Sequence, residues 1–280
     1  MNGDSGLTKL GYLNGDFHFF HLRDTAGQEH ETHYHEFAKI VIFLSGRVDY
    51  LVEGVSYPLQ PWDILLIGGH LAHKAIIDTG VPYERVILYV DPAALEAAGR
   101  DADLMQCFRT AEVRAFYLMR PAGRDQAKLS GILREMERAG ASADFGARIL
   151  ERTYFYQLMV QLNRIMLTDH TDAHITDLGY DPRIADVIAY INKNLDAELT
   201  VDFLAQRCYL SKYHFMRLFK QLTGYTVHSY VLQKRLLRAT ELLKSGETAA
   251  DAAEHCGFRD YSTFQRAFKA EFGVTPGAFA

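Results

Sequence analysis

The pattern of hydrophobic positions changes twice along the chain. Between about Phe17 and Val90, short apolar runs rich in β-branched and aromatic residues are separated by turn residues such as Ser45-Gly46 and Glu53-Gly54. Runs of this kind predict strands, and such turns typically join antiparallel partners. Their spacing predicts a small antiparallel β-barrel or sandwich over residues 1–92.

A helical period begins after about Pro92. One segment, residues 149–167, is apolar around much of its helical circumference. Such a helix is either buried in a core or shared with another chain, so core packing and a dimer contact are both open for residues 93–168. The period is lost over residues 169–181, which are predicted to be a linker.

A third pattern begins at Asp181-Pro182. Asp is a good N-cap residue, and Pro suits the first position of a helix. Apolar residues from Ile184 to Ile191 then recur at i, i+3, i+4 and i+7. This spacing predicts a helix with one buried face. Residues 182–280 are therefore predicted to form an all-α domain.

The C-terminal part contains one amphipathic pattern twice. FMRLFKQLTG begins at Phe215, and FQRAFKAEFG begins at Phe264. In each copy two phenylalanines mark a buried face, and an Arg and a Lys lie on the opposite face. Each copy follows a shorter helical segment and a brief turn, which is typical of a helix-turn-helix unit. We predict such units near residues 200–222 and 249–272.

A charged face on a single helix indicates no more than solvation. Two copies with the same buried and exposed positions favour base reading, because Arg pairs with guanine, Gln with adenine, and Met contacts the thymine methyl group. The segment Val227 to Ser245 predicts one helix of roughly 28 Å between the copies. Adjacent major grooves are about 34 Å apart, so one monomer would reach two of them.

The last hundred residues contain several short motifs: Leu204-Ala205, Arg217-Leu218-Phe219-Lys220, Gly224, Arg235-Leu236, Gly257-Phe258, Phe268-Lys269 and Thr275-Pro276. On these motifs the C-terminal part resembles the AraC/XylS family of bacterial transcription regulators. The resemblance implies two helix-turn-helix units joined by a linker helix, with double-stranded DNA and RNA polymerase as partners. The residues expected to contact DNA are Ser211, Lys212, Tyr213, His214, Met216, Arg217, Lys220, Tyr261, Ser262, Gln265, Arg266 and Lys269.

The N-terminal part carries His33-Tyr34-His35, Gly46, Pro61-Trp62-Asp63 and His73. On these residues it resembles the cupin-type sensor barrel that many such regulators carry. The resemblance implies a small-molecule effector, with a sugar as the family-level expectation. The residues proposed for the effector pocket are His33, His35, Glu36, Tyr50, Trp62 and His73.

The histidines also raise the question of a metal site. His33 and His35 point to one face of a strand, and His70 and His73 follow in the chain. Metal-binding cupins usually place a Glu four residues after the second His, whereas this chain has Lys39 there, whose ammonium opposes a divalent cation. A three-His site, a polar pocket lining and ordinary structural histidines all stay open. We predict no metal and no cofactor.

Composition further narrows the classes of protein to which this chain can belong. No stretch of about 18 uninterrupted apolar residues occurs, which predicts no membrane span. The polar start lacks the apolar core of a secretory signal, and three isolated cysteines predict reduced, buried thiols. A cytoplasmic location is expected. The net charge of −5 divides into +3 from Pro182 onward and −8 before it, which indicates separate partners for the two parts.

Together these features predict a multidomain α+β transcription regulator. A cupin-like antiparallel β-barrel senses an effector, central helices form a homodimer, and an all-α domain reads DNA. We expect no enzymatic activity, because the sequence contains no phosphate-binding glycine loop and no nucleophile elbow. The main alternative is a metal-dependent cupin enzyme fused to a DNA-binding module, and a weaker one is a regulator that responds to a protein partner.

Overall fold

The computed structural model describes residues 8–9, 13, 15–24, 33–53, 55–69, 71–114, 116–168, 182–223 and 225–279. The chain divides into an N-terminal unit, residues 7–180, and a C-terminal unit that contains residues 181–280. The predicted linker at 169–181 and His70 lie outside the described residues. No helix in the described part is long and apolar enough to cross a membrane.

The described residues of the N-terminal unit form two five-stranded sheets. The first has the order β1 (Thr8–Lys9), β3 (His33–Tyr34), β8 (His73–Ile77), β5 (Val48–Val52), β6 (Val55–Pro58). The second has the order β10 (Leu118–Met119), β7 (Ile64–Ile67), β4 (Ala38–Ser45), β9 (Tyr83–Val90), β2 (Phe17–Asp24). Except for the parallel β1–β3 pair, neighbouring strands are antiparallel. One hydrophobic cluster includes buried residues of both sheets, and the predicted β-rich N-terminal fold is confirmed.

The two turns singled out in the sequence have different roles. The turn at Glu53 joins β5 to β6 as a hairpin, with Val52 opposite Val55. The turn at Ser45-Gly46 instead connects β4 to β5, which lie in different sheets. The expectation of paired antiparallel strands at this turn is therefore wrong. Gly46 has a φ of +125°, and an added Cβ would lie 3.0 Å from the Pro82 carbonyl oxygen, so glycine permits the close approach at this crossing.

Among its described residues, the N-terminal unit also contains the helices α1 (Pro92–Ala98), α2 (Gln106–Arg114), α3 (Gly123–Ala141) and α4 (Ala147–Thr168). The sequence predicted only helices over this stretch, yet β10 lies between α2 and α3. Leu118 and Met119 are buried and pair with Leu65 and Ile64 at the edge of the second sheet. Two residues are too few to show the alternation of a strand in the sequence, so β10 is recognised only by its pairing with β7.

Helix α4 packs one side against the core and exposes part of the other. Phe155 is fully buried, and its ring stacks on Phe17 with centroids 4.2 Å apart. Asn163, two turns further along α4, is also buried. Its side chain accepts from the Cys107 backbone N–H at 2.7 Å and donates to the Leu104 carbonyl at 2.9 Å. Core packing of α4 is thus observed, while Ile149 is 71% exposed.

The C-terminal unit is all-α, as predicted. Its helices are α5 (Pro182–Lys193), α6 (Val201–Arg207), α7 (Lys212–Thr223), α8 (Val227–Lys244), α9 (Ala249–His255), α10 (Tyr261–Phe272) and α11 (Pro276–Phe279). The pairs α6–α7 and α9–α10 are joined through the 18-residue helix α8. This arrangement confirms two helix-turn-helix units on either side of a linker helix.

Candidate DNA-binding surface and effector site

The two helix pairs begin with matching caps. Thr200 accepts from the backbone N–H of Phe203 at the start of α6, and Thr248 accepts from that of Asp251 at the start of α9. A threonine oxygen here satisfies a donor that the first helical turn leaves without a partner. Both short helices therefore begin with the same type of cap.

Each turn contains a residue in the left-handed region, but the surroundings differ. Tyr209 has φ +55° and Gly257 has φ +76°. The Tyr209 side chain is 95% exposed, so the turn accommodates it. A Cβ on Gly257 would lie 2.5 Å from the Leu195 carbonyl oxygen and 2.9 Å from Nη2 of Arg235. Glycine is therefore required in the second turn and not in the first.

Arg235 of α8 fixes the loop that packs on this turn. Its Nε donates to the Leu195 carbonyl at 2.8 Å, and its Nη2 donates to the Ala197 carbonyl at 2.8 Å. Partial burial lowers the pKa of Arg235 from its ordinary value. One guanidinium thus satisfies two carbonyls and anchors the loop between α5 and α6 to the linker helix.

The second helix of each pair buries two phenylalanines. Phe215 and Phe219 of α7, and Phe264 and Phe268 of α10, are fully buried. Because these rings fix the rotation of each helix, the opposite face is directed to solvent. All twelve residues predicted to contact DNA are exposed: Ser211, Lys212, Tyr213, His214, Met216, Arg217, Lys220, Tyr261, Ser262, Gln265, Arg266 and Lys269.

Among these exposed side chains, Lys212 and Arg266 have polar partners within the C-terminal unit. Lys212 Nζ lies 2.7 Å from the carboxylate of Asp202, which belongs to α6 of the same unit. Arg266 Nε donates to the Ser262 carbonyl at 3.3 Å. Exposed contacts of this kind contribute little to stability, so both groups can exchange these partners for DNA at a small energetic cost.

Three of the predicted pocket residues converge between the two sheets. His33 lies opposite His73 in the β3–β8 register, and one ring nitrogen from each of His33, His35 and His73 lies within 4.8 Å of the others. All three side chains are buried. His73 Nδ1 lies 2.8 Å from the Leu71 carbonyl oxygen. A carbonyl only accepts, so Nδ1 carries the proton and Nε2 of neutral His73 offers a lone pair.

A lysine from the opposite sheet reaches this cluster. Lys39 Nζ, on β4, lies 3.3 Å from His73 Nε2, and the Lys39 side chain is buried. Burial, with a smaller contribution from Arg85, lowers the pKa of Lys39 to about 7. Burial also lowers the pKa of His73, and Lys39, His33 and His35 lower it further. The sequence prediction left Lys39 out of the pocket, although a lysine inside the apolar run AKIVIFLS was a signal for it.

The other proposed pocket residues, Tyr50, Glu36 and Trp62, differ in where they lie relative to the histidines. Tyr50 is buried, and its ring centroid is 6.1 Å from that of His73. Glu36 is partly buried just before β4. Trp62 lies in the turn before β7, where its backbone N–H donates to the Phe43 carbonyl at 2.6 Å. In the antiparallel β4–β7 pair, Lys39 lies opposite Ile67, so Trp62 belongs to the opposite end of β4. The structure does not bring Trp62 to the histidines.

Asp63, next to Trp62, has a structural partner. Its fully buried carboxylate receives Arg120 Nε at 2.7 Å and Arg120 Nη2 at 2.8 Å. A third donor, the Gln60 backbone N–H, lies 2.8 Å from Oδ2. This bidentate pair ties the segment after β10 to the start of β7. The sequence prediction did not identify Arg120.

Two family models cover most of the chain. Residues 18–159, just over half of its length, match the AraC-like ligand binding domain, and residues 204–280 match a helix-turn-helix domain. The chain belongs to the AraC/XylS family. It is therefore a ligand-sensing, DNA-binding transcription regulator, which agrees with the geometry of α7 and α10.

Curated relatives are similar to this regulator over most of its length or over its C-terminal part. The HTH-type transcriptional activator RhaS of Citrobacter koseri is 25% identical over 245 residues, 87% of this chain and 85% of that protein. The regulatory protein PocR of Salmonella typhimurium is 32% identical over 52% of this chain and 49% of that protein. The TetD protein of transposon Tn10 from Escherichia coli is 37% identical over 38% of this chain and 83% of that protein.

Two solved structures also resemble the regulator. The DNA-binding domain of AdpA in complex with a target DNA is 33% identical, with a TM-score of 0.34, over 36% of this chain and 90% of that one. ToxT from Vibrio cholerae is 14% identical, with a TM-score of 0.36, over 95% of this chain and 98% of that one.

Proposed function

We propose that α7 and α10 are the recognition helices of a sequence-specific regulator and that their exposed faces enter the major groove. The observation that carries this proposal is the shared rotation of the two helices, which buries both phenylalanine pairs and exposes the polar side chains. Arg and Gln have the donor geometry for purine edges, and Met suits the thymine methyl. The base contacts are assigned to Tyr213, Met216, Arg217, Ser262, Gln265 and Arg266, and phosphate contacts to Lys220 and Lys269.

Replacing Arg217 or Arg266 by alanine is expected to weaken binding to the preferred site by about 1–3 kcal/mol each, because a bidentate contact to guanine is lost. Sequence preference should relax only at the base pair that the lost side chain contacts. A site selected from a random duplex library with the wild-type protein is the probe. Fluorescence anisotropy on that site and on its single-base variants measures both effects.

Lys220→Ala and Arg238→Ala are the controls for this experiment. Lys220→Ala should weaken binding to all sequences alike and reduce the salt slope by about 1, because a phosphate contact carries no sequence information. Arg238 is an exposed arginine of α8 that pairs with Glu241 at 2.7 Å, and its replacement should leave the preference intact. Unchanged affinity and preference in both arginine variants of the recognition helices would refute the assigned face.

The N-terminal unit is proposed to hold the effector among His33, His35, Tyr50 and His73. An effector regulates DNA binding only if it binds one arrangement of the protein more tightly than another. The proposed mechanism is that effector binding changes how the DNA-binding units of two protomers pair or orient. A domain division into residues 1–92, 93–168, 169–181 and 182–280 is part of this proposal.

The regulator is further proposed to form a homodimer through α4. Exposed apolar side chains on this helix support the contact: Ile149 is 71% exposed, Leu150 49% and Leu167 59%. Ile149→Glu should shift the protein from dimer to monomer, since a charge replaces buried apolar area at the interface. Light scattering on the purified chain measures the mass. Arg138→Glu, which changes the exposed face of α3, is the matched control, and an equal effect of both changes would contradict this interface.

The remaining partners follow from the same role. RNA polymerase is proposed as a partner because several relatives are transcriptional activators. A cytoplasmic location is proposed because the DNA is there. Absence of enzymatic activity is proposed because the curated relatives are regulators and because the amino group of Lys39 points at His73 within the three-histidine cluster. The alternative of a metal-dependent enzyme has the histidine geometry in its favour and this lysine against it.

A further inference from the structure

The interior of the N-terminal unit contains a lysine with no acidic partner among the described residues. Lys39 is 6% exposed, and its nearest polar contact is an imidazole nitrogen, His73 Nε2, at 3.3 Å. Its pKa is lowered by burial and by Arg85, with no carboxylate acting in the opposite direction. A buried cation is normally paired with an acidic group or a ligand.

The other cation nearby is already balanced. Arg85 of β9 is buried, lies over the Tyr83 ring with its guanidinium carbon 4.3 Å from the centroid, and forms an ion pair with Asp24 of β2. Arg85 therefore has both a carboxylate and an aromatic face. In the part of the chain that the structure describes, Lys39 contacts His73 Nε2 and lies near Tyr50, whose ring centroid is 6.0 Å from Nζ. Among the described residues, Lys39 therefore lacks the carboxylate partner that Arg85 has.

The lysine also changes what the three histidines can bind. A transition metal needs the imidazole lone pairs directed at one point with no cation there. The lone pair of His73 Nε2 instead receives the Lys39 amino group. The Lys39 amine and the N–H groups of His33 and His35 are donors, and such donors suit the oxygen atoms of an anion.

We propose that Lys39, with His33, His35, His73 and Tyr50, forms an oxyanion subsite of the effector pocket that accepts a carboxylate or phosphate group. The subsite rests on the proposed effector pocket and adds the chemical class of the effector: an acid, in place of the neutral sugar that the family resemblance suggested. The lysine supplies the charge, and His73, whose one N–H donates to the Leu71 carbonyl, holds the lysine through Nε2. The imidazoles of His33 and His35 and the tyrosine hydroxyl supply further hydrogen bonds, and burial strengthens each of them.

The test is a thermal-shift measurement on the full chain, followed by the fluorescence of Trp62, the single tryptophan of the protein. The probes are acetate, D-glucuronate, D-galacturonate and inorganic phosphate, with acetamide, D-glucose and D-galactose as their neutral counterparts. At least one anion should raise the melting temperature of the wild type by about 2 °C or more, because a ligand that binds the folded state stabilises it. A response to a sugar acid identifies a carboxylate, and a response to phosphate alone identifies a phosphate group.

Lys39→Met keeps most of the side-chain volume and removes the amino group, so it should abolish the response to the anion. Lys74→Met is the matched control, since Lys74 neighbours His73 on β8 but is more exposed and alternates to the other face of the strand. It should respond as the wild type does. The melting temperatures without probe show whether each variant folds.

Three results would overturn the subsite. One is an anion response that survives in Lys39→Met, and another is the lack of any anion in the panel that distinguishes the wild type from Lys39→Met. The third is tight binding of Zn²⁺ or Co²⁺ by the wild type that His73→Phe removes. A neutral sugar that stabilises the wild type and Lys39→Met equally would reject the oxyanion subsite yet support an effector pocket, so the two proposals fail separately.

Discussion

Gly257→Ala is expected to lower the free energy of unfolding of the C-terminal unit by about 3–5 kcal/mol. The backbone there has φ +76°, and the new Cβ would lie 2.5 Å from the Leu195 carbonyl oxygen and 2.9 Å from the Asp196 carbonyl oxygen. Both contacts are with backbone, which cannot rotate away. The Arg235 guanidinium that bonds this loop would also have to move, so α9 and α10 would lose their fixed relation to α8.

The measurement is thermal or urea unfolding of the full chain, followed by circular dichroism at 222 nm and by Trp62 fluorescence. Trp62 belongs to the N-terminal unit, so its transition should stay unchanged while the helical signal melts earlier. Affinity for the selected DNA site should fall as well, because α10 depends on this packing for its orientation.

Gly273→Ala is a close control for Gly257→Ala. Gly273 ends α10 with the same φ of +76°, and an added Cβ there meets nothing within 4 Å. Its replacement should cost only about 1–2 kcal/mol, the penalty for a side chain in the left-handed region. If both variants lost the same free energy of unfolding, backbone conformation, and not the contact with Leu195 and Arg235, would be the reason that position 257 requires glycine.

Arg120→Ala is expected to destabilise the N-terminal unit by about 3–5 kcal/mol, because it leaves a buried carboxylate without its cation. Asp63 is 0% exposed and receives two guanidinium donors at 2.7 Å and 2.8 Å. The neighbouring Trp62 makes its fluorescence a direct readout of this transition in urea.

Arg47→Ala gives the comparison for Arg120→Ala. Arg47 pairs with Asp78 at 3.5 Å, with side chains 76% and 47% exposed, so its loss should change stability by less than about 1 kcal/mol. The double change Asp63→Ala with Arg120→Ala should recover part of the loss, since no charge then stays buried. A single Arg120→Ala variant as stable as Arg47→Ala would contradict the structural role of the pair.

The recognition helices could be predicted from sequence because their signal is local and repeated. The spacing of Phe215 and Phe219 marks the buried face of α7, and the same spacing recurs at Phe264 and Phe268 of α10. Helical geometry then dictates which residues face outward. The twelve predicted contact residues are all exposed for this reason, while their role in contacting DNA stays a prediction.

The effector site was only partly predictable. His33 and His35 share a strand face by alternation, so their proximity follows from local geometry. Trp62 was grouped with them by motif alone, and strand register places it at the far end of β4. Lys39 joins the histidines only because β4 and β8 lie in different sheets whose inner faces meet. No periodic pattern in the sequence predicts that these two sheet faces pack together at Lys39.

By itself the sequence determined the β-rich N-terminal part, the all-α C-terminal part, the two helix-turn-helix units and their outward faces, since these depend on periods of a few residues. Tertiary structure alone decided the sheet crossing at Gly46, the pairing of Asp63 with Arg120 across 57 residues, and the contact of Lys39 with His73 across 34 residues. Such contacts depend on how separate elements pack, and packing is set by the free energy of the whole core and not by any local pattern.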